Sequence, residues 1–191
     1  MGAAVALTLL SMLGATACTA DGNSPADPAS SGSPGARAVR EVATEATIGT
    51  VTGRLTHAKR GAVRKQIAAA VDRWLDAAYI AGDYPRAGFA DAFPGFTRGA
   101  EADARKDIGL MSNAAIGKKI DGVEARHRRL RIDVLAVRKH AVGVTARFLL
   151  DFDTTGKLKE SERVQGRLYM TRRHGGGWQV FGYDVSRGIR R

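Results

Sequence analysis

Apolar residues between positions 58 and 82 recur every three or four residues, which predicts one amphipathic helix. The apolar stripe of this helix comprises Val63, Ile67, Val71, Trp74, Leu75 and Ala78. Charged residues fall on the opposite side, at Lys65, Asp72, Arg73 and Asp76. Gly82 supplies a stop signal after the last apolar position. We therefore expect the helix to lay its Trp74 side against a larger apolar surface.

From Gly122 onward the period changes from 3.6 to 2, which is typical of strands with one buried face. Four segments show this alternation, and they begin near residues 127, 141, 163 and 177. In the first three, the residues expected to share one face are Leu130, Ile132, Val134 and Ala136; Val142, Val144, Ala146, Phe148, Leu150 and Phe152; and Val164, Leu168 and Met170. The fourth carries Trp178, Val180, Phe181 and Tyr183. Short connections rich in Gly and charge separate the segments, so we expect four antiparallel strands joined by hairpins.

Two further segments give weaker patterns. Residues 45–56 are rich in Thr and Val and indicate a short strand or an extended lead-in. Residues 83–113 indicate two short helices, the first broken by Pro94 and Gly95 and the second capped by Thr97. The second helix would turn Ala104, Ile108 and Met111 inward. Three neighbouring aromatic residues would form core or, alternatively, a ligand-stacking plug: Phe89, Phe93 and Phe96.

Helices followed by antiparallel strands define an α+β domain, which we place at residues 45–188 with its core at 58–186. The pieces VDRWLDAAYIAGDY, FTRGAEADA and GGGWQVFGYDV, in this order, resemble exported actinobacterial members of the superfamily of nuclear transport factor 2, ketosteroid isomerase and the SnoaL-like cyclases. The resemblance implies a cystatin-like cone, with N-terminal helices packed in the concavity of a curved antiparallel sheet. It implies little about activity, because the superfamily includes isomerases, cyclases, dehydratases and non-catalytic binding domains.

The start of the chain predicts the localisation of the protein. Residues 2–17 are uncharged and apolar, long enough for a signal peptide and short for a membrane span. The tetrapeptide that ends at Cys18 resembles the bacterial lipoprotein box, so we expect a signal peptide over 1–18 and lipidation of Cys18. Residues 19–44 are rich in Ser, Pro, Gly and Ala and predict a flexible tether. The alternatives are a secretory signal cleaved near Ala17 and an uncleaved membrane helix.

Composition narrows the possible chemistry. One cysteine cannot form an internal disulfide, and no Cys/His spacing suggests zinc, so we expect neither a metal nor a cofactor. The net charge is +11, and residues 1–36 hold no Lys or Arg, so all the positive charge lies in residues 37–191. A cluster on one strand would form a basic surface for an anionic lipid or envelope polymer, or merely a solvated face: Arg126, Arg128, Arg129 and Arg131. Nucleic acid is disfavoured because no aromatic residue is interleaved with these cations.

Acid/base candidates are few. Asp133 lies in an apolar strand, either facing a pocket or forming a cross-strand ion pair, and Asp184 is second. Asp184 shares its strand parity with Trp178 and Val180, and could accept a hydrogen bond from Tyr79 or Tyr84 or pair with an arginine. His127 is the one histidine that enters a strand, but six residues, about 20 Å, separate it from Asp133.

These observations favour a non-catalytic envelope lipoprotein, exported and anchored to the outer face of the cell membrane, that binds a small apolar ligand or a protein partner. The alternatives are an isomerase or cyclase that uses a pocket carboxylate, and an accessory subunit of a cell-envelope transport assembly. A secreted protein without an anchor is the alternative localisation.

Overall fold

The long amphipathic helix forms where the apolar stripe predicts it. In the computed structural model, which describes residues 42–190, α1 spans His57–Leu75 and continues as a π-helical turn, Asp76–Ile80. The hydroxyl of Thr56 caps its first turn by accepting from the backbone N–H of Lys59 at 3.4 Å. Gly82 follows with a φ of +107°, the left-handed conformation that ends helices. All six residues of the predicted stripe are buried.

Only the second of the two predicted short helices forms. Residues 81–97 contain turns and irregular backbone, because Pro85 and Pro94 lack the N–H group that helix propagation needs. After them come α2 (Arg98–Lys106), α3 (Ile108–Met111) and a short 3₁₀ turn (Asn113–Ala115). Thr97 caps α2 as expected, with its hydroxyl accepting from the N–H of Ala100 at 3.3 Å. Phe89 and Phe93 are buried in the core.

The sheet has five strands, one more than the four clear alternating segments predict. The strands are β1 (Glu45–Thr52), β2 (Ile120–Val137), β3 (His140–Gly156), β4 (Ser161–Arg172) and β5 (Trp178–Ile189). They lie in the order β1-β2-β3-β4-β5, with β1 parallel to β2 and every other pair antiparallel. The weak 45–56 segment is thus an edge strand, and the domain is an α+β fold with a curved, open, mostly antiparallel sheet.

Irregularities in the strands change which residues face the core. Between β2 and β3 the register shifts after Leu135, so Ala141 pairs with the buried Ala136 and Val142 is exposed instead of buried. In β5 the register shifts at Phe181, because Val180 pairs with Met170 while Gly182 pairs with the adjacent Tyr169. Such a bulge reverses the alternation beyond it. Phe181 is therefore exposed, whereas Tyr183 and Val185 pack against the core.

Aromatic rings fill the space between α1 and one face of the sheet. The ring of Trp74 lies edge-on to Phe148 and Tyr79, with centroids 5.1 and 5.7 Å away, and 5.9 Å from Phe96. Each such ring buries roughly 150–250 Å² of surface, so this cluster dominates the apolar core. We call this side of the sheet the inner face. The opposite side, which bears the exposed Leu135 and Phe181, is the outer face.

The predicted signal peptide, Cys18 and residues 19–41 of the predicted tether lie outside the described residues. No helix within residues 42–190 is long and apolar enough to cross a membrane.

Candidate functional site

Asp133 lies on the outer face of β2, away from the helices. It accepts hydrogen bonds from the backbone N–H of Thr50 and from Nε of Arg147, each at 2.9 Å, and Nε of Arg131 is 3.9 Å away. The Thr50 N–H, followed by the Arg147 guanidinium, holds the pKa of Asp133 below its usual range. Its surroundings match the cross-strand ion pair that the sequence left open as an alternative to a pocket acid.

Asp184 is also on the outer face and is exposed. The bulge at Phe181 places it there, opposite Arg167 in the β4–β5 register, despite the parity expected from Trp178. The two tyrosine hydroxyls suggested as its donors have other acceptors. Tyr79 donates to the carbonyl of Leu110 at 2.7 Å, and the other, Tyr84, donates to the carbonyl of Tyr79 at 3.0 Å.

His127 contacts a carboxylate that the sequence did not indicate. Its Nδ1 lies 3.3 Å from Oδ2 of Asp151, its cross-strand neighbour on β3. Asp151 is almost fully buried and also accepts two hydrogen bonds from Arg163, at 2.7 and 2.9 Å. These bonds hold the pKa of Asp151 below its usual range. Finding this partner from sequence requires the hairpin register, which the extra residue at Val142 shifts.

Three of the four arginines predicted as a basic surface are exposed, whereas Arg128 is buried. Arg128 is only 6% exposed; it donates to Asp76 of the π-helical turn at 2.5 Å and lies 3.9 Å from Asp72 of α1. It shares its strand parity with the buried Leu130, so the regular alternation of β2 turns it inward. The remaining three lie beside carboxylates: Arg126 beside Asp153 and Glu124, Arg129 beside Glu45, and Arg131 beside Asp133.

The inner face carries a buried ion pair between β4 and β5. Glu162 and Arg187 are 6% and 11% exposed, and the guanidinium contacts both carboxylate oxygens, at 2.5 and 2.8 Å. Its Nη2 also donates to Oδ1 of Asn113 at 3.1 Å, and Nη1 donates to the carbonyl of Ser112 at 2.8 Å. Burial raises the pKa of the neighbouring Tyr79. With its hydrogen-bonding capacity used internally, this pair has the environment of a structural ion pair.

Beside Asp133, the outer face forms an open trough of about 510 Å³ that crosses the sheet. Leu135 and Phe181 on its walls are 49% and 55% exposed, and the ring of Tyr169 lies 6.4 Å from that of Phe181. Its other lining residues are Thr50, Thr52, Asp133, Val134, Gly143, Val144, Thr145, Arg147 and Met170. The trough therefore combines exposed apolar side chains with hydroxyl groups and the ion pair of Asp133 with Arg147.

An arginine row runs along the edge of the trough. Arg131 on β2 is in register with Arg147 on β3, which is in register with Arg167 on β4. Neighbouring strands lie only about 4.8 Å apart, and like charges directly opposite each other are destabilising. Asp133 and Asp184 offset part of this charge. A second hollow of about 310 Å³ lies beside Arg147 and Arg167.

Among residues 42–190, no group of three His, Cys, Asp or Glu side chains is placed to hold a metal ion. Comparisons with known protein families, with curated proteins and with solved structures find no match for this chain. The trough and the arginine row are therefore the features of the domain that bear on its function.

Proposed function

We propose that this protein is a non-catalytic envelope lipoprotein, anchored through Cys18, whose α+β domain binds a protein partner across the outer face of the sheet. The observation that carries the proposal is the trough, where Leu135 and Phe181 remain half exposed beside the arginine row. Exposed apolar patches of this kind on soluble domains mark interaction sites. The cone-like arrangement of the superfamily fits this proposal, because α1 packs against one sheet face and leaves the other open.

The positions of the acid/base candidates favour binding over catalysis. An isomerase or cyclase of the resembled superfamily would need a carboxylate or histidine that reaches a substrate between the helices and the sheet. Asp133, Asp184 and His127 all lie on the outer face. The ion pair of the inner face, Glu162 with Arg187, makes its hydrogen bonds within the domain.

The shape of the trough favours a protein over a small apolar ligand. Pockets for small molecules bury most of the ligand's surface, whereas this trough is open along its length. Aromatic and arginine side chains such as Phe181, Tyr169 and Arg147 are enriched among the residues that dominate protein interfaces. Because the arginine row is cationic, the complementary partner segment would present an apolar side chain flanked by Asp or Glu.

The proposed anchor determines where this binding takes place. Lipidation of Cys18 would leave residues 19–44 as a tether of some 25 residues, with a mean reach of about 25–30 Å for a flexible coil. A partner within that distance of the membrane is a membrane or envelope protein. An accessory role in a cell-envelope transport assembly is one form of this function.

Co-purification with substituted chains tests the proposal. Full-length protein extracted in mild detergent should retain one stoichiometric partner, and Phe181→Ser or Arg167→Glu should lower its recovery about tenfold or more, because each removes an anchor of the interface. Lys65→Glu makes the same charge reversal at an exposed position of α1, outside the trough. It is the matched control and should leave recovery unchanged. Equal recovery from all variants would contradict binding in the trough.

A further inference from the structure

One end of the domain is free of acidic residues. Residues 46–71, 134–150 and 163–183 contain no Asp or Glu. They meet at the same end of the sheet, where β1 runs into α1, the β2–β3 turn reverses the chain, and the β4–β5 loop lies alongside. We define residues 53–60, 137–142 and 172–177 as the hairpin end.

The hairpin end is densely cationic. Its exposed Lys and Arg residues are Arg54, Lys59, Arg60, Arg138, Lys139, Arg172 and Arg173. Within residues 42–190 their side-chain hydrogen bonds go to uncharged carbonyl groups: Lys59 Nζ donates to the backbone carbonyl of Lys139 at 2.8 Å, and Arg172 donates through Nε to that of Ala141 at 3.3 Å and through Nη1 to the amide oxygen of Gln66 at 3.4 Å. A carbonyl carries no net charge, so these bonds hold the three segments together without neutralising the cations.

The tip of the β2–β3 hairpin holds its two cations in an unfavourable backbone conformation. Arg138 and Lys139 form a two-residue turn with φ values of 48° and 63°. Turns of this type favour Asn-Gly, because a side chain on an L-residue disfavours positive φ. Residues held in such conformations cluster at functional sites. Arg and Lys at this tip therefore cost folding stability, which suggests that their charge serves another purpose.

Apolar side chains flank these cations. Val137 and Val142, on either side of the turn, are 49% and 38% exposed. We propose that the hairpin end docks on a bilayer rich in anionic phospholipid, with the two valines entering the boundary between headgroups and acyl chains and the cations meeting the phosphates. Combined apolar burial and attraction to anionic lipid is the usual basis of interfacial binding. A soluble polyanion would leave the exposed valines unexplained. This surface adjoins the trough at Leu135 and Gly143 but shares none of its lining residues, and the substitutions below lie outside that lining, so either proposal can fail without the other.

A probe at the tip tests this inference on the full-length chain. An environment-sensitive dye is attached to the thiol of Val142→Cys. The chain also carries Cys18→Ala, so that the dye reacts at the tip alone. With vesicles of phosphatidylglycerol and phosphatidylcholine, the dye emission should shift to the blue; with pure phosphatidylcholine it should not. Adding Arg138→Asn and Lys139→Gly should weaken the lipid response roughly 30-fold, since each cation near an anionic surface contributes about fivefold and the two factors multiply.

The same double substitution should stabilise the fold, because Asn-Gly suits the turn, raising the midpoint of thermal unfolding by about 2–4 °C. This separates loss of lipid binding from loss of structure. Lys157→Gln with Lys159→Gln removes equal charge from the exposed β3–β4 loop at the other end of the sheet and should leave the response within about twofold. Three results would overturn the inference: an equal response to neutral vesicles, an unchanged response in the Asn-Gly variant, or an equal blue shift with duplex DNA in place of vesicles.

Discussion

Glu162 and Arg187 lie between the helices and the sheet, where they link β4 and β5 to the segment that contains Ser112 and Asn113. Both residues are largely removed from water. At the scale of single residues, such a pair stabilises the fold little more than two apolar residues at the same positions would. Removing one partner is different, because it leaves a buried charge uncompensated.

Glu162→Gln should therefore lower the free energy of unfolding by about 3–5 kcal/mol, because Arg187 keeps its charge and loses its carboxylate. Equilibrium urea unfolding of the full-length chain measures this. Asp103→Asn, which removes the partner of the exposed Lys106, is the control and should leave the midpoint unchanged. If both variants unfold at the same urea concentration as the original chain, the buried pair is not structural.

The lowered pKa values of Asp133 and Asp151 predict acid sensitivity. Arg163 lowers the pKa of Asp151, and the Thr50 N–H lowers that of Asp133. Because each folded-state pKa lies below the unfolded one, the stabilisation is present above the unfolded pKa and is lost as the pH falls. The free energy of unfolding should thus decrease between about pH 5 and pH 2. Asp151→Asn should flatten this decrease; an identical pH profile in that variant would rule out its contribution.

Single positions show where sequence reasoning succeeds and fails. Leu130, Ile132 and Val134 are buried as predicted, because the alternation of β2 is regular beyond the bulge. The prediction that Asp184 shares the face of Trp178 is wrong, because one extra residue at Phe181 reverses the alternation after it. Bulges leave little trace in a hydrophobic pattern, so Asp184, which follows one, could not be placed correctly; Arg128 has the parity of Leu130, but its charge favoured a surface position.

At the scale of elements, a short bridge fixes the irregular segment between α1 and α2. The N–H of Thr97 donates to the carbonyl of Val180 at 2.8 Å, and the N–H of Val180 donates to the carbonyl of Gly95 at 2.9 Å. The start of α2 is thus tied to β5. Apolar spacing alone predicts a helix before Pro94, but the prolines prevent it. The N-cap at Thr97 is predictable because it depends on a hydrogen bond between residues close in sequence.

Thr97→Ala should destabilise the domain by about 1 kcal/mol, because the N–H of Ala100 loses the hydroxyl that caps it. Thr97→Ser keeps the hydroxyl and should restore most of that loss. Thermal unfolding of the two variants provides the comparison. Equal destabilisation by Ala and Ser would assign the effect to packing of the methyl group.

At the scale of the whole molecule, the domain has a filled inner face and an open outer one. The α+β class and the helix-then-sheet order could be predicted from sequence because they depend on periodicity. The trough could not, since it is formed by Leu135, Tyr169 and Phe181 from three strands whose pairing depends on register. The proposed anchor on Cys18 would place this outer face near other envelope proteins.

The anchor has its own test. Cells that express the full-length chain and are grown with a radioactive fatty acid should label the protein, and Cys18→Ala should not be labelled, because that thiol is the proposed acceptor. The Ala variant should also move from the membrane fraction to the soluble or secreted fraction. Equal labelling of both chains would remove the lipoprotein assignment and leave the trough proposal standing.

The most direct test of the central claim, that the outer face binds a protein partner, is photocrosslinking in cells from a benzoylphenylalanine at position 181. This aromatic replacement of the exposed Phe181 should yield one discrete crosslinked protein, and adding Arg147→Glu with Arg167→Glu should abolish that product. The same probe at Lys65 on α1 should give none. No discrete product from position 181, or the same products from both positions, would contradict binding of a partner in the trough.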